Sequence, residues 1–142
     1  MDSFIQNKLE EYNAKERYQK LVKKYKNKKA VLYGAGKFFE TYKNMFDLSK
    51  FNITAVTDKR FSDIQEPVFD DSLGYNVISP YYLHKLKPDI VLISALDTFV
   101  MEKYICEELF KKTGKFKYEM LVEIPYHIKR REDWLEFSKI KS

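Results

Sequence analysis

The sequence predicts a three-layer α/β domain built on a mostly parallel sheet of about five strands, with an extra helix at each end. Three observations carry this. A short apolar run, Ala30-Val31-Leu32-Tyr33, stops at Gly34-Ala35-Gly36. A helical pattern and a second β-rich run follow, closing a strand-helix-strand unit of about thirty residues, long enough for a parallel crossover. Asp89-Ile90-Val91-Leu92-Ile93-Ser94-Ala95 is apolar without alternation, as expected of a central strand covered by helices on both faces.

The elements follow in order. Residues 2–26 contain no glycine or proline and place Phe4, Ile5, Leu9, Tyr12, Tyr18, Leu21, Val22 and Tyr25 mostly three or four apart, which predicts one amphipathic helix. Its stripe needs a surface: the following domain, a second copy or a neighbouring domain. After the first strand and its glycine turn, residues 37–48 read as a helix with Phe38, Phe39, Tyr42, Met45 and Phe46 on one face. Residues 52–57 form the second strand, ending at Asp58. Residues 59–74 are polar, hold Pro67 and Gly74, and receive no element. Residues 75–78 read as a short strand, and Ser79-Pro80 opens a short helix with serine as cap and proline as first residue, stopped by Pro88. A helix over 99–112 stops near Gly114, a last strand covers 118–124 and a terminal helix 132–140. The organisation is thus a basic helix (1–27), the α/β domain (28–126) and a C-terminal helix packed on it (127–142).

Composition supports a folded, water-soluble domain: 44% apolar residues with four glycines and four prolines. No apolar run approaches the roughly 20 residues that span a bilayer, and the first twenty residues are charged where a secretion signal is apolar. We therefore expect no transmembrane segment and a cytoplasmic location. The net charge of +5 sits at the ends: residues 1–29 contribute nine Lys/Arg against four Asp/Glu, 129–142 five against three, and 30–128 twelve against fourteen. A slightly acidic core domain argues against specific nucleic-acid recognition, leaving weak attraction of the basic ends to RNA or anionic membrane and association through the end helices with a second copy or a partner protein. The single cysteine, Cys106, cannot form an internal disulfide and is expected to be a small buried apolar residue.

The chemistry-bearing feature is the glycine loop. Gly34 and Gly36 between a strand and a helix let the chain turn sharply and bring a phosphate to the helix N-terminus, where free N–H groups and the helix dipole favour an anion. Ala35 and Phe38 belong to the same loop, and Lys37 adds a mobile positive charge. Asp58 lies twenty-two residues after Gly36, close to the spacing at which a carboxylate accepts hydrogen bonds from ribose hydroxyls. Phe39 stands where the third glycine of G-x-G-x-x-G allows close helix-to-strand packing. The plainer alternative is a tight turn, with Asp58 capping a strand end. Val31 and Phe38 occupy the positions where a phosphate-binding P-loop needs glycine and Ser/Thr, which argues against an ATPase or GTPase.

Val-Leu-Tyr-Gly-Ala-Gly-Lys (31–37), Ala-Val-Thr-Asp (55–58), Val-Ile-Ser-Pro (77–80) and the 89–94 strand together resemble, over residues 28–110, the Rossmann-like domains found beside bacterial surface-glycan enzymes. Similar modules form the N-terminal part of sugar O-acyltransferases and of polymerising-type nucleotide-sugar dehydratases. The resemblance implies a Rossmann-like fold, with the glycine loop and Asp58 beside a nucleotide or nucleotide-sugar and the strand carrying Ser94 and Ala95 lining the same cleft. The expected function is a nucleotide- or nucleotide-sugar-binding accessory module in bacterial surface-polysaccharide biosynthesis. NAD(P) and a nucleotide-sugar both stay open as the ligand. So do an NAD(P)-linked oxidoreductase or transferase domain completed elsewhere, and a ligand-free interaction module.

Other candidates read as background. Tyr25/Lys29, Tyr33/Lys37 and Tyr81/Lys85 match the Tyr-x-x-x-Lys spacing of short-chain dehydrogenases, but eleven tyrosines and twenty-two lysines produce such matches by chance. His84 and His127 have no carboxylate or second histidine at helical spacing, so no metal site is expected. Asp97 and Thr98 follow the central strand as ligand contacts or helix caps. No G-x-S-x-G elbow is present, against hydrolase chemistry. Trp134 and Phe137 are expected to pin the terminal helix to the body.

Overall fold

In the computed structural model, which describes residues 2–124, alternating apolar strands and amphipathic helices assemble into one mixed α/β sheet structure. The strands are β1 (Lys29–Tyr33), β2 (Asn52–Thr57), β3 (Val68–Asp70), β4 (Tyr75–Ile78), β5 (Ile90–Ile93) and β6 (Tyr118–Met120). They lie in the order β3-β4-β2-β1-β5-β6, and every neighbouring pair is parallel except β3 with β4. The chain runs outward from β1 through β2 to β4, then returns to place β5 on the other side of β1. Loops leaving the carboxyl ends of β1 and β5 therefore diverge, the position at which open α/β sheets hold ligands.

Because side chains alternate along a strand, β1 feeds two cores. Ala30 and Leu32, with Val56, Ile90 and Leu92, pack under α1 (Ser3–Glu11), α2 (Ala14–Lys24) and α3 (Lys37–Met45). Val31 and Tyr33, with Ala55, Val91 and Ile93, pack under α4 (Leu83–Leu86) and the segment of α5 (Thr98–Tyr104), a π-helical turn (Ile105–Leu109) and α6 (Phe110–Thr113). The pairing Ala30↔Ile90 to Tyr33↔Ile93 aligns the two central strands residue for residue.

The N-terminal segment departs from the single helix expected over 2–26. Asn13 sits in the left-handed region (φ 56) between α1 and α2. Asparagine tolerates this conformation better than most residues, so no glycine or proline was needed to mark the break. The break redirects the apolar stripe, and Ile5, Leu9, Ala14, Leu21 and Tyr25 all join the chain's own core. The stripe is thus covered by the domain that follows it. Arg17 on α2 donates from Nε to the Met120 carbonyl (2.7 Å) and pairs with Glu119 (3.3 Å) and Glu123. Lys24 (3.1 Å) and the Tyr25 hydroxyl also meet Glu119, so α2 clamps edge strand β6.

The polar stretch 59–74 also differs, since it contains a 3-10 turn (Lys59–Phe61) and β3, bringing the sheet to six strands. β3 was inconspicuous because it is three residues long and its Val68 and Phe69 are exposed, leaving no core-facing alternation. The turn back into β4 uses Gly74 at φ +80, with Leu73 N–H and Ser72 Oγ donating to the Asp70 carboxylate. The last strand is shorter than expected, ending at Met120, although Leu121 and Val122 remain fully buried. Cys106 is exposed, contrary to expectation: the π-helical turn points Ile105 and Leu109 into the core and leaves the thiol outside, 3.6 Å from the Tyr118 hydroxyl. Ser79 caps the turn before α4 as expected. The helix expected over 132–140, with Trp134, Phe137 and His127, lies outside the described residues. Among the described residues no helix is long and apolar enough to cross a membrane.

Candidate functional site

The link from β1 to α3 is held on both sides by the sheet. Gly34 N–H donates to the Thr57 carbonyl at the end of β2 (2.8 Å), and Ser94 N–H, just past β5, donates to the Tyr33 carbonyl at the end of β1 (2.8 Å). Gly34 adopts φ +113, and a Cβ there would lie 2.5 Å from the Ser94 carbonyl oxygen. Only glycine fits this crossing of two backbones. At Gly36 the reverse holds: it precedes α3 with no side-chain cap, and a Cβ would meet nothing within 4 Å. The first N–H groups of a helix lack partners within it, so the start of α3 offers donors to an anion.

Asp58 serves the loop directly. One carboxylate oxygen accepts from Ala35 N–H (2.8 Å) and the other from Arg60 N–H (3.2 Å), while Arg60 Nη2 donates to the Ala35 carbonyl (2.9 Å). The capping role weighed from the sequence is therefore present, and each carboxylate oxygen keeps a second lone pair for a ligand.

These elements enclose a cavity of about 590 Å³. Of the residues singled out from sequence, Gly34, Gly36, Lys37, Phe38, Asp58, Ser94 and Ala95 line it, as does Asp97. Ala35 does not, being buried with its N–H and carbonyl taken up by Asp58 and Arg60. Phe38 stacks on Tyr42 (5.8 Å between ring centroids) and forms part of the wall from within the core. Phe39 turns away to meet Tyr75 edge-on and is fully buried, so the missing third glycine is accommodated by core packing on the α3 face. Lys37 is exposed and has no ion pair or hydrogen bond among the described residues.

Several wall residues were not singled out. Lys59 and Arg60 directly follow Asp58, and Val100, Met101 and Tyr104 lie three, four and seven residues after Asp97, a helix stripe readable from spacing alone. Asp97 caps α5 by accepting from Val100 N–H (3.2 Å). The walls carry Lys37, Lys59 and Arg60 against Asp58 and Asp97, with Lys59 Nζ 4.1 Å from the Tyr104 ring centre. Tyr33 and Ser94 line the cavity, and the buried Ser94 Oγ has no hydrogen-bond partner among the described residues. Burial pushes the Tyr33 phenol far above its ordinary range, and its side-chain interaction with the Tyr104 hydroxyl raises it further. Among the described residues no histidine or cysteine lines the cavity, and no cluster of His, Cys, Asp or Glu could hold a metal. The arrangement is equipped to bind an anion and donate hydrogen bonds.

A family model described as C2185-like, N-terminal, matches residues 26–120, more than half of the chain. The chain belongs to this family. The C2185-like match begins just before β1 and ends with β6, so it contains the whole sheet and the loops of the cavity and leaves out α1 and α2. No curated protein and no solved structure matches the chain.

Proposed function

We propose that this chain is a Rossmann-like module that binds a phosphate-bearing nucleotide-type ligand in the cleft between the carboxyl ends of β1, β2 and β5. The observation that carries this is the start of α3: Gly36 leaves the helix uncapped and open beside a cavity lined by Lys37 and Ser94, at the point where the strand order reverses. Asp58 and Arg60 hold the loop in shape before a ligand arrives, which lowers the ordering cost of binding. The resemblance of the 31–37 and 55–58 segments to modules beside glycan-building enzymes extends the proposal to nucleotide-sugars and to an accessory role in surface-polysaccharide synthesis.

The test is thermal melting against NAD(H), NADP(H), UDP-, GDP- and CMP-sugars, with Gly36→Val alongside. A ligand at about 100 times its Kd adds roughly 2.7 kcal/mol. We expect one ligand class to raise the melting temperature by several degrees in the wild type and not in Gly36→Val, whose side chain enters the open space at the helix start. A wild type that no phosphate-bearing ligand stabilises refutes the proposal.

A further inference from the structure

We infer that the end of the sheet opposite the cleft is a docking face for an anionic lipid surface, built from lysines that the fold gathers out of four separate segments. β2, β1, β5 and β6 run parallel, so the chain enters all four at this end. The entries are tied to one another: Lys29 pairs with Asn52, Asp89 N–H donates to the Lys29 carbonyl (2.8 Å), and Val91 N–H donates to the Lys117 carbonyl (2.9 Å). Lys26 and Lys28 precede β1, Lys50 precedes β2, Lys87 precedes β5, and Lys115 and Lys117 precede β6. All six are exposed, and none is in an ion pair among the described residues. A strand spacing of about 4.8 Å sets the outer two entries roughly 15 Å apart.

The carboxylates at this end are already engaged. Asp89 accepts from Lys29 N–H (2.7 Å), Asp47 from Ser49 N–H (2.9 Å), and Glu119 from Lys24 and Tyr25. Asp70 and Asp71, at the turn between β3 and β4, bound the face on one side. Residues 30–128 carry more acid than base along the chain, yet the fold separates the two. Lys50, Lys87, Lys115 and Lys117 stand at this end, while Asp58 and Asp97 stand at the cleft. Side-chain chemistry then selects the partner. Every cation on the face is a lysine, a mobile point charge, whereas arginine supplies the planar fork that suits bases and single phosphates. Among the described residues no exposed aromatic ring is there to stack on a base. Tyr25 is buried, with Lys24 Nζ and Lys117 Nζ 5.4 and 5.5 Å from its ring centre, and Phe116 is half-buried against Phe110. Such a set fits a crowd of anionic head groups, where each lysine near the surface strengthens binding about fivefold. Docked this way, the protein keeps its cleft open to water on the far side, so the inference stands apart from the identity of the cleft's ligand.

The experiment is co-sedimentation of the full chain with vesicles of phosphatidylcholine alone and of phosphatidylcholine mixed with phosphatidylserine, at low and high salt. The face variants are Lys50→Gln/Lys115→Gln and Lys50→Glu/Lys115→Glu. The control is Lys15→Gln/Lys103→Gln, which removes the same charge from exposed positions on α2 and α5, away from this end. Lys50 and Lys115 make no side-chain hydrogen bond, ion pair or ring contact among the described residues, so the variants should melt with the wild type. The wild type is expected to bind the mixed vesicles, not phosphatidylcholine alone, and to be released by high salt. Lys50→Gln/Lys115→Gln should bind about 25-fold more weakly, fivefold for each lysine removed. Lys50→Glu/Lys115→Glu should stay in the supernatant, and the control should bind as the wild type does. A wild type that does not sediment with the mixed vesicles, an equal loss in the control, or undiminished binding by Lys50→Glu/Lys115→Glu overturns the inference. So does poly-U RNA that strips the wild type from the mixed vesicles by binding it more tightly, a result that assigns the face to nucleic acid instead.

Discussion

Replacing Gly34 with alanine tests whether the loop geometry is imposed by the sheet. The new Cβ would stand 2.5 Å from the Ser94 carbonyl oxygen, and Gly34 holds φ +113, a region that side chains with a Cβ rarely enter. Backbone strain costs about 1–2 kcal/mol, and forced displacement of packed atoms typically about 1–3 kcal/mol. The obstacle is backbone of β5's exit, which cannot swing aside as a side chain would, so the sum is about 2–5 kcal/mol. For a domain whose total stability is about 5–15 kcal/mol, this is a large share, and it corresponds to a melting temperature lower by roughly 8–20 °C. Gly36→Ala is the control, because its Cβ meets nothing within 4 Å at φ −98. It should stay within about 1 kcal/mol of the wild type, the scale of a changed N-cap residue. Urea and thermal unfolding of the three proteins decide the matter. A Gly34→Ala protein that melts within about 2 °C of the wild type would refute the reasoning.

Other consequences follow from particular contacts. Asp58→Ala strips the acceptor from Ala35 N–H and the cap from the Lys59–Phe61 turn, and should cost about 2–3 kcal/mol by urea unfolding; a loss below 0.5 kcal/mol (roughly) would mean the loop needs no such support. Burial works against the Glu119 carboxylate, but the Tyr25 hydroxyl and Lys24 outweigh it and hold its pKa below the ordinary 4.5. Its contribution to stability is therefore fully present above about pH 4.5 and is lost as pH falls through the lower folded value, so acid melts of wild type and Glu119→Gln should converge below that pH and separate above it. Parallel curves across the range would contradict the clamp of α2 on β6. Cys106, the single cysteine, is exposed, so a thiol reagent should label the native protein stoichiometrically without denaturant; reaction only after unfolding would place the thiol inside.

What was legible in the sequence depended on local patterns. The apolar runs at 30–33 and 89–95 and the glycines between strand and helix announce themselves within a few residues, because a buried parallel strand and a tight turn each restrict composition at the site itself. The mixed α/β sheet and the meeting of the loop with Asp58 followed from these. Features set by tertiary partners were not legible. Asn13 can break a helix, yet whether it does depends on where α1 and α2 find the sheet. β3 exists because β4 offers it an edge, since its own side chains face solvent. Cys106 turns outward because a π-helical turn resets the face of the helix after Tyr104. Tyr33 reads as one more apolar strand residue until the structure places it in the cavity wall beside Tyr104.

The central claim is an anion site at the start of α3, and the most direct measurement is an amide-resolved NMR titration of the protein with inorganic pyrophosphate at low salt. The account predicts saturable shifts concentrated at the N–H groups of Gly36, Lys37 and Phe38, absent in Gly36→Val. Shifts confined to the basic residues of α1 and α2, or no saturable shift at these three amides, would contradict it.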